Sequence, residues 1–413
     1  MVFSPVFGYL GDRYTRKYIM ACGIFLWSGF TLSASFIPAD HFWAFILLRA
    51  LVGVGEASYS TIAPTIIADL FAKEMRTRML MIFYFAIPVG SGLGFIVGAN
   101  VAKLFHGWQF ALRVTPILGV ICVVLIIIFC QEPQRGMSEG GTHLHNTSFK
   151  DDLKAIVRIK SFVLSSVGFT CVAFVTGALA LWAPAFMADA IALKTGRSFN
   201  TELESEVALI FGGITVASGF LGVALGTEIA RRYRKINPRA DPLTCAFGML
   251  MCTPFLYFSL VLSEYNITAT WVLIFIGETL LCLNWAVTAD ILLYVIIPTR
   301  RSTAEAGQIL MSHAFGDAGS PYLIGVVADK LSTHFRGASQ SPAVQFVTLQ
   351  YSMYITSFVC VIGGGFYLAT AIFIQRDKAA AEKQTRGEIL GPEPPDEELI
   401  IGNSELDGGA QPI

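Results

Sequence analysis

The chain has 413 residues, 54% of them hydrophobic and only 14% charged, with a formal net charge of −1. A soluble domain carries roughly 25% charged residues, so this composition excludes an ordinary water-soluble globule and fits a chain built for lipid. The near-zero charge excludes a nucleic-acid partner, because phosphate binding needs a basic surface.

A membrane helix needs about 20 mostly apolar residues. In chain order the pattern predicts a short apolar start over 1–11, then spans over 17–37, 42–71, 78–102, 109–131, 161–188, 207–231, 240–263, 268–297, 302–331 and 345–375. This is an all-α polytopic membrane protein with ten full spans and one partial. The longest polar stretch between spans falls near 131–160. The segment after Gln375 is rich in Pro, Glu and Gly and reads as disordered. The expected units are an incomplete N-terminal bundle (1–131), a cytoplasmic central linker (132–160), a C-terminal six-helix bundle (161–375) and a disordered cytoplasmic tail (376–413).

Positive charge sets the orientation. Arg13/Arg16/Lys17, Lys73/Arg76/Arg78, Lys150/Lys154/Arg158/Lys160, Arg231 to Arg239, Arg300/Arg301 and Arg376/Lys378 all fall on one side, whereas the opposite loops 38–41 and 263–267 carry no Lys or Arg. The basic side is therefore read as cytoplasmic. The first helix then runs towards the cytoplasm, so the sequence is expected to be an N-terminally truncated form of a twelve-helix protein. It would lack the first helix and part of the second. A repeat supports the count: Gly55-Glu56, Ala68-Asp69 and Arg76 recur in order and at nearly equal spacing as Gly277-Glu278, Ala289-Asp290 and Arg300. Parallel repeats of this kind generate two bundles with a binding site between them near the midplane.

Ionisable residues inside spans are costly and by default mark an ion, proton or substrate path. Glu56 lies near mid-span, with Arg49 on the same face about 10 Å away along the axis. The rival reading is a structural Arg49–Glu56 ion pair. His313 and Asp317 are one helical turn apart and face together, either as a titrating cavity pair or as packing beside Gly316 and Gly319. Glu278, the repeat mate of Glu56, is a further proton-coupling candidate. Asp69 and Asp290 lie at helix ends and are expected to cap helices or to pair with Arg76/Arg78 and Arg300/Arg301. Gly90, Gly94 and Gly98 in the fifth helix, and Gly222 and Gly226 in the eighth, form small faces expected to pack the two helices together. The eight cysteines show no metal-ligand spacing and are expected to be reduced, packed thiols. Nothing in the sequence calls for a cofactor or a metal. Of the sequons, Asn146 falls in the linker and is expected to be silent, while Asn266 lies on the opposite side, close to the membrane.

Gly8-Tyr9-Leu10-Gly11-Asp12-Arg13-Tyr14-Thr15-Arg16-Lys17 resembles the loop signature of the major facilitator superfamily, with Thr15 where that family usually has Gly. The resemblance implies a two-bundle fold and makes Gly8, Asp12, Arg13, Arg16 and Lys17 a gate or latch. The blocks 53–64, 83–94, 237–243, 297–305 and 316–325 look like Spinster-family transporters, over a stretch from Val2 to about Asp377. What this implies is an amphiphilic lipid cargo moved by alternating access. Two cargoes fit: lysophospholipid leaving lysosomes with protons, or sphingosine-1-phosphate exported at the plasma membrane. The stretch 162–184 is similar to the lysosomal branch and favours the first.

On that reading Glu56 carries the proton, Arg49 holds the lipid phosphate, and the partners are lipid, protons and the bilayer. The stretch 396–401, an acidic dileucine-like signal, implies sorting adaptors. A remote alternative is a polytopic membrane enzyme using His313 and Asp317 as an acid–base pair, but no nucleophile or metal constellation accompanies them.

Overall fold

The computed structural model describes residues 1–141, 143–144, 147–197, 200–334 and 342–388. Among the described residues, the regular structure is helical throughout. The N-terminal bundle comprises α1 (Ser4–Arg13), α2 (Arg16–Ala34), α3 (Phe42–Leu70), α4 (Lys73–Tyr84), α5 (Ala86–Leu104) and α6 (Trp108–Phe129). A linker helix, α7 (Phe149–Arg158), precedes the C-terminal bundle. That bundle holds α8 (Lys160–Thr195), α9 (Thr201–Tyr233), α10 (Ala240–Leu262), α11 (Ile267–Cys282), α12 (Asn284–Val295), α13 (Arg301–Met311), α14 (Gly319–His334) and α15 (Pro342–Thr385). Eight rods among the described residues are long and apolar enough to cross a membrane. The helix α2 and the interrupted rod α13–α14 pack beside them and complete the ten expected spans.

The sequence explains why some rods are broken. Pro88 has no N–H to give the Tyr84 carbonyl and its ring crowds that carbonyl, so the rod 73–104 breaks between α4 and α5. Pro321 stands in the same relation to Asp317. There the helix widens into one π turn, Ser312–Asp317, with the Ala318 N–H bonded to the His313 carbonyl at 3.0 Å.

Within the bundles α2 packs on α3 and α6, while α8 and α10 pack on α15. The bundles meet where α1 faces α13, α4 faces α12 and α5 faces α9. The fifth and eighth spans do touch, but through other glycines than expected. A methyl added at Gly92 would overlap Val216, and one at Gly219 would overlap Pro88. Gly90, Gly94 and Gly98 meet nothing within 4 Å, while Gly222 and Gly226 pack against Thr279, Cys282 and Leu283 of the tenth span. A four-residue glycine spacing defines a small face without saying which neighbour it meets, and α5 carries glycines on two faces.

Two further expectations are corrected. Residues 376–385 continue α15 as helix, favoured by Ala379 to Ala381, so the tail does not begin at 376. Residues 389–413, including the sorting-like stretch 396–401, and the sequon residue Asn146 lie outside the described residues. All eight cysteines are free, but Cys22 and Cys122 are exposed rather than packed.

Candidate functional site

A cavity of about 720 Å³ lies between the bundles. Glu56, Tyr59 and Ser60 line it from one face of α3, as their spacing of three and four residues requires. Phe83, Tyr84 and Ile87 enter from the α4–α5 break, which turns Tyr84 inwards. Phe169, Ala173, Thr176 and Leu181 come from α8, and Trp285 from the start of α12. The aromatic rings form a continuous wall: Phe169 meets Trp285 edge-on at 5.3 Å, Tyr84 lies 6.5 Å from Trp285, and Phe83 meets Tyr84 at 5.2 Å.

A second set of lining residues is acidic. Glu305, Ile309, His313 and Asp317 recur every fourth residue, and the π turn keeps the last two on the cavity side. His313 Nδ1 and Asp317 Oδ2 are 2.7 Å apart, each side chain about 35% exposed. Glu305 is buried, and its Oε2 has no hydrogen-bond partner among the described residues. Glu56 is half-buried, and no hydrogen bond or ion pair of its carboxylate is found among the described residues. Ionisable groups inside a membrane span mark a candidate ion, proton or substrate path.

Two sequence candidates fall elsewhere. Arg49 is exposed and is absent from the cavity lining, and no Arg49–Glu56 ion pair forms among the described residues. The two share a face of α3, but two turns of rise carry the arginine past the cavity. Glu278 is buried between α11 and α9, where the Ser218 hydroxyl donates to its Oε2 at 3.0 Å, and it does not line the cavity. Conversely Glu305, Tyr84 and Trp285 were missed as site residues. The four-residue spacing from Glu305 to Asp317 was the available signal for the first.

At the basic face the loop motif closes the molecule. Both Asp12 oxygens accept backbone N–H groups at the start of α13, Ser302 at 2.9 Å and Thr303 at 2.9 Å, and Oδ2 also accepts the Thr303 hydroxyl at 2.6 Å. The N-cap residue of α13, Arg300, makes no side-chain cap, so Asp12 supplies it from the other bundle. Gly8 permits the approach, since a Cβ there would lie 2.6 Å from Ala306 Cβ. Arg13 donates to Asp152 at 3.0 Å, and buried Arg16 pairs with Asp69 at 2.5 Å and Glu132 at 3.0 Å. Lys17 takes part through its backbone N–H, which donates to Glu132 at 2.9 Å.

The repeat's acid–base pairs are crossed rather than local. Arg76 reaches Asp290 at 2.9 Å and Arg301 approaches Asp69 at 3.7 Å, each from the opposite bundle. Glu139 of the linker bridges the two arginines, to Arg76 at 2.5 Å and Arg301 at 2.6 Å. Burial alone would raise the Glu139 carboxyl, but Arg301 and Arg76 outweigh it and hold it below the ordinary glutamate range.

Two helical bundles meeting around a central cavity, with crossed charges at one end, define a membrane transporter. The sequence profile of the Major Facilitator Superfamily matches residues 1–318. Protein spinster homolog 1 of Rattus norvegicus is 55% identical over 407 residues, covering 97% of this chain and 76% of that protein. Protein spinster of Drosophila melanogaster is 48% identical, covering 94% and 72%. The chain belongs to the Spinster family of the major facilitator superfamily.

Among solved structures, a bacterial homolog of the human lysosomal transporter Spinster, inward-facing and unoccupied, superposes with a TM-score of 0.64 at 18% identity, covering 91% of this chain and 87% of that one. The E. coli fucose:proton symporter superposes at 0.61 with 13% identity, covering 89% and 87%. At these identities the likeness is one of fold.

Proposed function

We propose that this transporter carries an amphiphilic lipid, a lysophospholipid, out of an acidic compartment with protons, its basic face turned to the cytoplasm. The observation that carries the reading is the mixed lining of the cavity: aromatic and aliphatic side chains suited to an acyl chain, together with Glu56, Glu305 and the His313–Asp317 pair. No Lys or Arg is among the described lining residues. A zwitterionic head group of no net charge is therefore accommodated, its ammonium matched by carboxylates and ring faces, whereas the phosphate monoester of sphingosine-1-phosphate outweighs that lipid's own ammonium and meets like charge. This favours lysophospholipid over sphingosine-1-phosphate and removes Arg49 from head-group binding.

Glu56 and Glu305 are the proton-exchanging groups, and the His313–Asp317 pair holds the head group. Asp12, Arg13 and Arg16 act as the latch that closes the cytoplasmic end. Residence in the lysosomal or late-endosomal membrane follows from coupling to an acidic lumen. The test is uptake by the chain in proteoliposomes with an imposed pH gradient, comparing lysophosphatidylcholine with sphingosine-1-phosphate. Gradient-driven movement of the first and little of the second is expected. Preferential export of sphingosine-1-phosphate without a gradient overturns both cargo and compartment.

A further inference from the structure

The basic face holds an open pocket separate from the central cavity. A pocket of about 460 Å³ lies where α7, the start of α8, the corner before α13 and the extension of α15 meet. Four cations line it, Arg158, Lys160, Arg300 and Arg376, against one carboxylate, Asp377. The cations have partners of their own, Lys160 over the Phe373 ring at 5.2 Å and Arg300 on Asp152 at 2.8 Å, and so has the carboxylate. Its Oδ2 accepts the Ser161 N–H at 2.8 Å, capping α8, whose own N-cap residue makes no side-chain bond. The same bond ties the extension of α15 to α8, so the pocket walls are held by structure rather than by loop.

The helix α7 forms its outer wall and has two characters. Asp152 and Ile156 point inwards and are buried. Lys150, Lys154 and Arg158 form an exposed row at four-residue spacing, and beside them Leu153 and Val157 are 49% and 62% exposed. An exposed apolar pair flanked by a basic row is the arrangement of a helix lying in a membrane interface. Basic pockets at the membrane surface bind phosphorylated lipid heads, and arginine offers phosphate two parallel donors.

We propose that this pocket binds the phosphorylated head group of an anionic lipid in the leaflet at the basic face, a phosphoinositide, with Leu153 and Val157 seated among its neighbouring acyl chains. Arg158 and Arg376 grip the phosphates at the mouth, and Arg300 lies at the inner end. Arg300 also donates to Asp152 at 2.8 Å, and Asp152 in turn holds Arg13 of the loop motif. The lipid site is thus joined to the closed end of the transporter through Asp152. The proposal is independent of the cargo proposed above, since no residue of the pocket lines the central cavity.

The test measures binding to the purified full chain in neutral detergent with three probes: short-chain phosphatidylinositol bisphosphate, free inositol trisphosphate and short-chain phosphatidylcholine. The phosphoinositide is expected to bind most tightly, free inositol trisphosphate more weakly and phosphatidylcholine negligibly. The double variant Arg158→Ala/Arg376→Ala, at two exposed positions, is expected to lose roughly thirtyfold in phosphoinositide affinity. A second variant, Leu153→Ser/Val157→Ser, is expected to weaken the lipid but not the soluble head group. Unchanged affinity in the double variant, or equal binding of phosphatidylcholine, overturns the site. Inositol trisphosphate binding as tightly as the lipid overturns the lipid as its occupant.

Discussion

Glu56 and Glu278 each follow a glycine in the two halves of the repeat, yet their surroundings separate them. Glu56 faces the open cavity without a described polar partner, whereas Glu278 is wedged between two helices of its own bundle and takes a hydrogen bond from Ser218. The repeat made both residues legible in the sequence. It could not say which faces the cavity, because that depends on how α11 packs against α9. Glu56→Gln is therefore expected to reduce pH-gradient-driven uptake to the level seen without a gradient, while cargo exchange at equal pH survives, since an amide cannot release a proton. Glu278→Gln is expected to leave the gradient dependence intact. Uptake assays with and without the gradient distinguish the two, and a gradient response retained in Glu56→Gln would falsify the proton role.

At the scale of helices, the spans were largely legible because lipid imposes a single rule of length and apolarity. The interruptions were less so. Pro88 and Pro321 mark where hydrogen bonds must fail, but whether a proline gives a break, as between α4 and α5, or a π turn, as at His313, depends on the packing around it. The glycines make the same point. Gly92 is pressed against Val216 while Gly94, two residues on, faces open space. Gly92→Leu should force α5 away from α9 and destabilise the fold by about 1–3 kcal/mol, the usual cost of overpacking. Gly94→Leu should change stability little. Thermal unfolding of the two variants in detergent checks the contrast, and equal melting of both would contradict the contact.

For the whole molecule, the crossed pairs make closure at the basic face a property of both halves together. Glu139 is held below the ordinary glutamate range in this state, so its contribution is fully present above that range and is lost only as the pH falls through the depressed value. Mild acidity leaves this bridge charged. Glu139→Gln should weaken the closed state by about 1 kcal/mol, roughly fivefold in the closed-to-open ratio, equally at neutral and mildly acidic pH. Spin-label distances between the ends of α4 and α13 would report it. A pH-dependent effect of this variant across that interval would contradict a bridge that stays charged. The Asp69 and Asp290 motifs were legible as ion-pairing groups, but their partners were not, because the crossing exists only once two bundles face each other.

The cap that Asp12 lends to α13 has a consequence for the cycle itself. When the bundles part, the first turn of α13 loses the group that satisfies its Ser302 and Thr303 amides. Opening is then coupled to fraying of a helix end, and closing to its renewed winding. Each half of the transporter serves as a folding template for a small piece of the other, so that rocking between states is also a local order–disorder transition, repeated once per turnover.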